Sequence, residues 1–153
     1  MDYIIRKLEE KDLATLVKLC QNHADYEQAT YNVTNKVQLL KEVIFANNPK
    51  LYCYVIERGV KLGGYFSFSI DFSTWDAQVF LYLDCLYLEP QFRGKKIGEV
   101  VFKKLKEIAK HNNCVNIQWQ TPIFNKAAIK FYNRIGGIGK DKVGVGYGVG
   151  FIQ

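Results

Sequence analysis

Apolar and polar positions switch period several times along the chain. "DYIIRKL" (2–8) reads as a first strand. In "KDLATLVKLCQNHADYE" (11–27), Leu13, Leu16, Val17 and Cys20 fall at i, i+3, i+4 and i+7, the stripe of an amphipathic helix. "TYNVT" breaks that stripe. A second helix is predicted over 35–48, with Asn35 and Gln38 spaced as a capping box and Pro49 past its end. Two β-rich runs follow, "LYCYVIER" and "KLGGYFSFSIDF", joined at Gly59 as a hairpin. "STWDAQ" leads into "VFLYLDCLYLEP", the most apolar run, which reads as a central strand covered on both faces. From Glu99 to His111, Val101, Leu105 and Ile108 mark the inner face of a helix whose lysines point mostly outward. "CVNIQWQT" is a further strand ended by Pro122. A short helix opens at Asn125 and closes at Gly136–Gly137. The tail "VGVGYGVGFIQ" alternates glycine with Val and Tyr and reads as a thin edge strand or a frayed end. The order β-α-α-β-β-β-α-β-α-β predicts a mixed α/β fold. Residues 1–153 carry no repeat or linker and read as one domain.

Composition narrows the class. At 48% apolar and 24% charged residues, the chain can bury a core and resembles an ordinary globular domain. No apolar run approaches the roughly 20 residues of a membrane span, and the N-terminus lacks the apolar centre of a signal peptide. Cys20, Cys53, Cys85 and Cys114 are scattered through apolar-periodic segments, the usage of reduced thiols in a cytoplasmic protein; no metal site is expected. The net charge of +6 implies an anionic partner: a phosphate-bearing cofactor, nucleic acid or an acidic membrane. No helix-turn-helix spacing, zinc finger or RNP-like motif supports nucleic-acid binding.

The stretch "PQFRGKKIG" (90–98) narrows the anion. It hands a strand over to a helix, whose first backbone N–H groups and positive dipole end favour phosphate. Gly94 and Gly98 allow close approach, while Arg93, Lys95 and Lys96 add charge. A Walker A loop is excluded because Glu99 and Val100 follow Gly98. A dinucleotide fold lacks its Gly-x-Gly-x-x-Gly and the acidic residue on the next strand. A glycine-eased turn with solvated lysines is the competing explanation.

Strand, Arg-Gly-Lys-Lys-Ile-Gly, then helix resembles the acetyl-coenzyme A motif of the GNAT acetyltransferases, Gln/Arg-x-x-Gly-x-Gly/Ala. Arg93 fills its first position and Gly98 its last, with Lys96 standing where a middle glycine is expected. "NIQWQTPIFNKAAIKFYNRIGG" resembles the later family segment through Asn125, Phe131 and Tyr132, and the element order agrees from about residue 2 to 137. "ADYE", "DFSTWDAQVFLYLDCLYL" and "NKAAIKFYNRIGG" are most similar to the diamine (spermidine/spermine) acetyltransferase branch; the glycine-rich tail departs from it. The resemblance implies acetyl-coenzyme A as cosubstrate, held by Leu86, Tyr87, Leu88, the loop from Arg93 through Gly94, Lys95, Lys96, Ile97 and Gly98 to Glu99, and by Asn125 and Tyr132. It also implies a homodimer.

Acetyl transfer to an amine needs a deprotonated nucleophile, a polarised thioester carbonyl and a proton for the departing thiolate. Tyr132 is the candidate acid, since a phenol with an ordinary pKa near 10 protonates a thiolate while staying neutral itself. Its helical stripe with Ala128 and Ile135 also suits a core tyrosine, and the family segment tips the choice. Asp84 interrupts an apolar strand, where a buried carboxylate is costly unless paired or functional; it is the candidate for binding or deprotonating the amine. Asp25, Tyr26 and Glu27 are candidate amine-site residues, and Trp75 a candidate cation–π wall. An N–H of Leu86 or Leu88 could polarise the carbonyl. His23 and His111 read as surface residues, and strand alternation points Cys85 away from Asp84. The expected activity is N-acetylation of a small cationic amine, polyamine-like or amino-acid-like. The alternatives are an aminoglycoside-like or protein amine as acceptor, or a coenzyme A-binding module without turnover.

Overall fold

A computed structural model of the chain describes residues 2–150. Two compact units divide it at residue 120. The first carries a five-stranded sheet in the order β1-β2-β3-β4-β5: β1 (Ile4–Lys7), β2 (Tyr52–Arg58), β3 (Lys61–Ser73), β4 (Gln78–Leu88) and β5 (Ile117–Gln118). All pairs are antiparallel except β4 with β5. Its helices are α1 (Leu13–Tyr26), α2 (Lys36–Ile44) and α3 (Ile97–His111). The second unit carries α4 (Lys126–Arg134). The mixed α/β architecture follows the predicted element order up to α4.

Period-2 alternation gives the sheet two buried faces. Cys53, Val55, Tyr65 and Tyr87 meet Leu13, Leu16 and Leu19 of α1, with Leu40 and Ile44 of α2 packed alongside. Ile56, Phe66 and Phe68 lie on the other face and are buried too, and α3 buries its own stripe of Ile97, Val101 and Leu105. Arg6 binds β1 to its neighbours, donating to Asp12 (2.7 and 3.1 Å) and to Glu57 (2.8 and 3.1 Å). The β2–β3 hairpin turns through Gly59, at φ +62°, as its sequence requires.

Four expectations are corrected. The strand most completely buried is β3, whose Leu62–Phe68 are all buried, rather than β4. Gly63, Gly64 and Ser67 make β3 look less apolar, but their small size is what lets neighbours close in. Gly63 is a bulge residue in the β2–β3 register, and any Cβ there would collide with the ring of Phe92. Second, the Asn35 capping box does not form: Asn35 is left-handed (φ +60°) with no side-chain cap bond, and Gln38 bonds Glu42 instead (2.9 Å). Third, the tail forms no strand over 138–150, where alternate glycines leave every second position without a side chain to pack. Residues 151–153 of that predicted strand lie outside the described residues. Fourth, His23 is not a surface residue; its side chain is 13% exposed, stacked on Tyr87 with ring centres 5.1 Å apart.

Candidate active site

The centre of the site is a bulge in β4. Ser67 pairs with Cys85 and Phe68 with Leu83, so Asp84 is an extra residue without a partner in β3. A bulge reverses the edge parity of the strand after it. Before it, Leu81 N–H donates to Asn116 O and Val79 O accepts from Val115 N–H, so odd positions face β5. After it, Glu89 N–H donates to Gly63 O, so odd positions face β3 and the amides of Leu86 and Leu88 turn to the other edge. Pairing with β5 stops at Tyr82. Among the described residues no strand pairs with this edge over residues 83–88, which leaves backbone donors and acceptors for an extended ligand.

The same bulge overturns two readings of Asp84. The sequence suggests a carboxylate buried between two faces; the kink instead leaves Asp84 exposed. It accepts from Ser67 Oγ (3.4 Å). Cys85 does not point away from it, because adjacent residues of a bulge do not alternate as in a regular strand; its Sγ is 3.7 Å from Asp84 Oδ2. Burial, then the Asp84 charge, pushes the Cys85 thiol up to about 12, so it carries little thiolate at neutral pH.

The open edge runs into the predicted loop. Phe92, 2% exposed, anchors it over Gly63. Arg93 Nε then donates to Leu88 O (2.8 Å), the last carbonyl of the edge. Gly94 is left-handed (φ +69°) with open space where a Cβ would stand. Lys96 is also left-handed (φ +62°) and is the N-cap of α3, with no side-chain cap bond. That conformation is the physical reason a glycine suits the position, and here a lysine tolerates it. The loop therefore presents the start of a 15-residue helix beside Lys95, Lys96 and the half-buried Gly98, with Glu99 in the first turn. These features fit a phosphate group: an uncapped helix start, an unfilled glycine and three cations.

Of the candidate amine residues, Asp25 is exposed, Tyr26 is 42% exposed, and Glu27 is half-buried with Oε1 3.2 Å from His23 Nε2. Nδ1 of His23 lies 2.8 Å from the Tyr65 hydroxyl. Trp75 is 96% exposed at the tip of the β3–β4 hairpin, and the first unit does not bring it to Asp84. His23, Ser67 and Tyr65 escape sequence reasoning, although the i, i+4 spacing of His23 and Glu27 was there to be read. In the second unit, Asn125 caps α4 by accepting from Ala128 N–H (3.3 Å). Tyr132 is half-buried against Phe131, with centroids 5.5 Å apart.

The sequence profile of the Acetyltransferase (GNAT) family matches residues 3–137. This chain belongs to that family. It is 28% identical over 141 residues to a thialysine N-epsilon-acetyltransferase of Sus scrofa, covering 87% of this chain and 82% of that protein. It is also 28% identical over 152 residues to a human spermidine/spermine N(1)-acetyltransferase-like protein 1, covering 90% of this chain and 21% of the relative. A possible acetyltransferase from Clostridium difficile 630 has the same fold, with a TM-score of 0.80 at 21% identity over 96% of this chain and 97% of that one. This GNAT chain is thus an N-acetyltransferase. Among the described residues, no helix is long and apolar enough to cross a membrane.

Proposed function

We propose that the chain transfers the acetyl group of acetyl-coenzyme A to a primary amine of a small cationic acceptor, polyamine-like or amino-acid-like, by direct attack. The observation that carries this reading is the open β4 edge, which leads from Asp84 into the uncapped start of α3. The cosubstrate supplies an activated acetyl thioester and a pyrophosphate. Leu86, Tyr87 and Leu88 would line its extended arm, with a Leu86 or Leu88 N–H on the carbonyl; Arg93 to Glu99 would hold the phosphates.

Asp84 would receive the acceptor; its exposed carboxylate, bonded by Ser67 beside that edge, supports this role. It binds the ammonium or takes its proton, directly or through water, so that the free amine attacks the carbonyl carbon. As the carbon–sulfur bond breaks, Tyr132 gives its proton to the thiolate; this role and the contact of Asn125 come from the family resemblance. Asp25 and Glu27 add negative charge at the end of α1, which favours a cationic acceptor. Relatives named for thialysine and for spermidine/spermine support an amine of that kind. The raised Cys85 thiol disfavours an acetyl-cysteine route. A homodimer is proposed with it, tested by light scattering.

The test is thiol release from acetyl-coenzyme A with polyamines, lysine analogues, aminoglycosides and peptides. Turnover on one small cationic class, reduced about 10²–10⁴-fold in Asp84→Asn and in Tyr132→Phe, is the expected result. Turnover restricted to aminoglycosides or peptides would replace the acceptor. Coenzyme binding without turnover on any amine would make the chain a binding module, and no binding would overturn the cradle.

A further inference from the structure

Tyr26 belongs by sequence with the acidic residues at the end of α1, and its ring lies against an arginine of the loop. The guanidinium carbon of Arg93 sits 4.4 Å from the Tyr26 ring centre and 5.5 Å from that of Tyr87. Tyr26 and Tyr87 are themselves 6.4 Å apart. Arg93 Nε is committed to Leu88 O. An arginine fixed through Nε and lying on aromatic faces uses its plane for stacking, and its terminal N–H groups remain along the edge of that plane. Its direction is therefore set by two contacts: a backbone carbonyl and a pair of rings.

The support behind the rings is polar and local. Tyr87 OH donates to Glu89 Oε2 (3.3 Å), and Asn22 Nδ2 donates to Glu89 Oε1 (2.9 Å). The C-terminal turn of α1 is thereby tied to the strand end from which the loop departs. Without the Tyr26 ring, Arg93 would keep its Leu88 bond but lose its nearer stacking face, and the guanidinium could rotate about that bond.

We propose that Tyr26 is a positioning residue for the coenzyme: its ring orients the Arg93 guanidinium toward the phosphate cradle, and its part in amine recognition is secondary. This rests on the reading of residues 93–98 as that cradle.

The experiment compares two acetyl donors, acetyl-coenzyme A and S-acetylpantetheine, which has the same thioester and no phosphate. Tyr26→Leu is expected to raise KM for acetyl-coenzyme A about fivefold, the size of a partly exposed cation–π contact, with the amine KM unchanged. With S-acetylpantetheine the variant and wild type should have equal kcat/KM. Tyr26→Phe, which keeps the ring, should recover the acetyl-coenzyme A value. Coenzyme A dissociation constants give the same comparison without turnover, and in an Arg93→Ala background Tyr26→Leu should add nothing. A rise in the amine KM alone, or a loss of equal size with both donors, would overturn the proposal. If wild type does not bind coenzyme A, the cradle itself fails, which is a different result.

Discussion

Gly63→Ala tests the packing that holds the loop before α3 in place. An ideal Cβ at Gly63 would fall inside 3.0 Å of three carbons of the Phe92 ring, nearer than real Cβ atoms come. Phe92 is 2% exposed, so the ring must withdraw by roughly an ångström into packed surroundings or leave its pocket. Overpacking costs about 1–3 kcal/mol, and full loss of a buried Phe about 3–5. The bracket is therefore about 1–5 kcal/mol, or roughly 2–20 °C in Tm for a chain of this size. Urea denaturation at fixed pH reads the change as a shift in midpoint at constant slope. Because Phe92 directly precedes Arg93, KM for acetyl-coenzyme A should rise as well. Adding Phe92→Leu should restore part of the loss, giving a double variant less destabilised than the sum of the singles. A Gly63→Ala protein within about 0.5 kcal/mol of wild type would show that the ring is not fixed over this glycine, and the account of the loop anchor would be wrong.

Three further results are expected. Lys96→Gly should be about 1 kcal/mol more stable than Lys96→Ala in urea melts, since both remove the charge but only glycine relieves the φ of +62°; equal stability would refute the strain. Asp12→Asn should cost about 2–4 kcal/mol at pH 7, because it breaks a nearly buried, two-bond contact with Arg6. The Arg6 hydrogen bonds hold the Asp12 carboxyl below its ordinary value of 3.8, so this stability is complete above that pH and fades as pH falls through the lowered value. A wild-type-to-variant gap in urea midpoint that did not narrow below about pH 4 would contradict it. Cys85→Ala should keep kcat within about threefold, because a thiol raised to about 12 is a poor nucleophile at neutral pH; loss of several orders of magnitude would establish an acetyl-cysteine step.

The helices, the Gly59 hairpin and the strand–loop–helix junction were legible because each follows from local rules: periodicity, a turn residue, a glycine-containing loop before a helix. What stayed hidden depends on tertiary closeness. β3 reads as a weaker strand than β4 because Gly63 and Gly64 contribute no apolar side chain, but at Gly64 a Cβ would come within 2.6 Å of Tyr87 O. Asn35 and Gln38 match a capping box in letters, and the left-handed backbone of Asn35 prevents it. His23 looks like a helix-end polar residue until Tyr65 and Tyr87 close around it. Tyr26 sits among acidic letters, and only the fold shows that Arg93 lies on its ring.

The bulge at Asp84 is the least legible feature and the one with the most consequences. "VFLYLDCLYL" contains nothing that interrupts a strand except the aspartate, and strict alternation would bury Asp84 and turn Cys85 from it. One extra residue changes all of this together. It lifts Asp84 into solvent beside Ser67, brings Cys85 Sγ to the same carboxylate, and shifts the outward amides from the odd positions that meet β5 to Leu86 and Leu88. A strand in perfect register would keep its odd-numbered amides toward the open edge and would hide its only carboxylate. The exposed acid and the outward amides therefore have a single structural cause, and a mutation that restored register at this point would be expected to remove both at once.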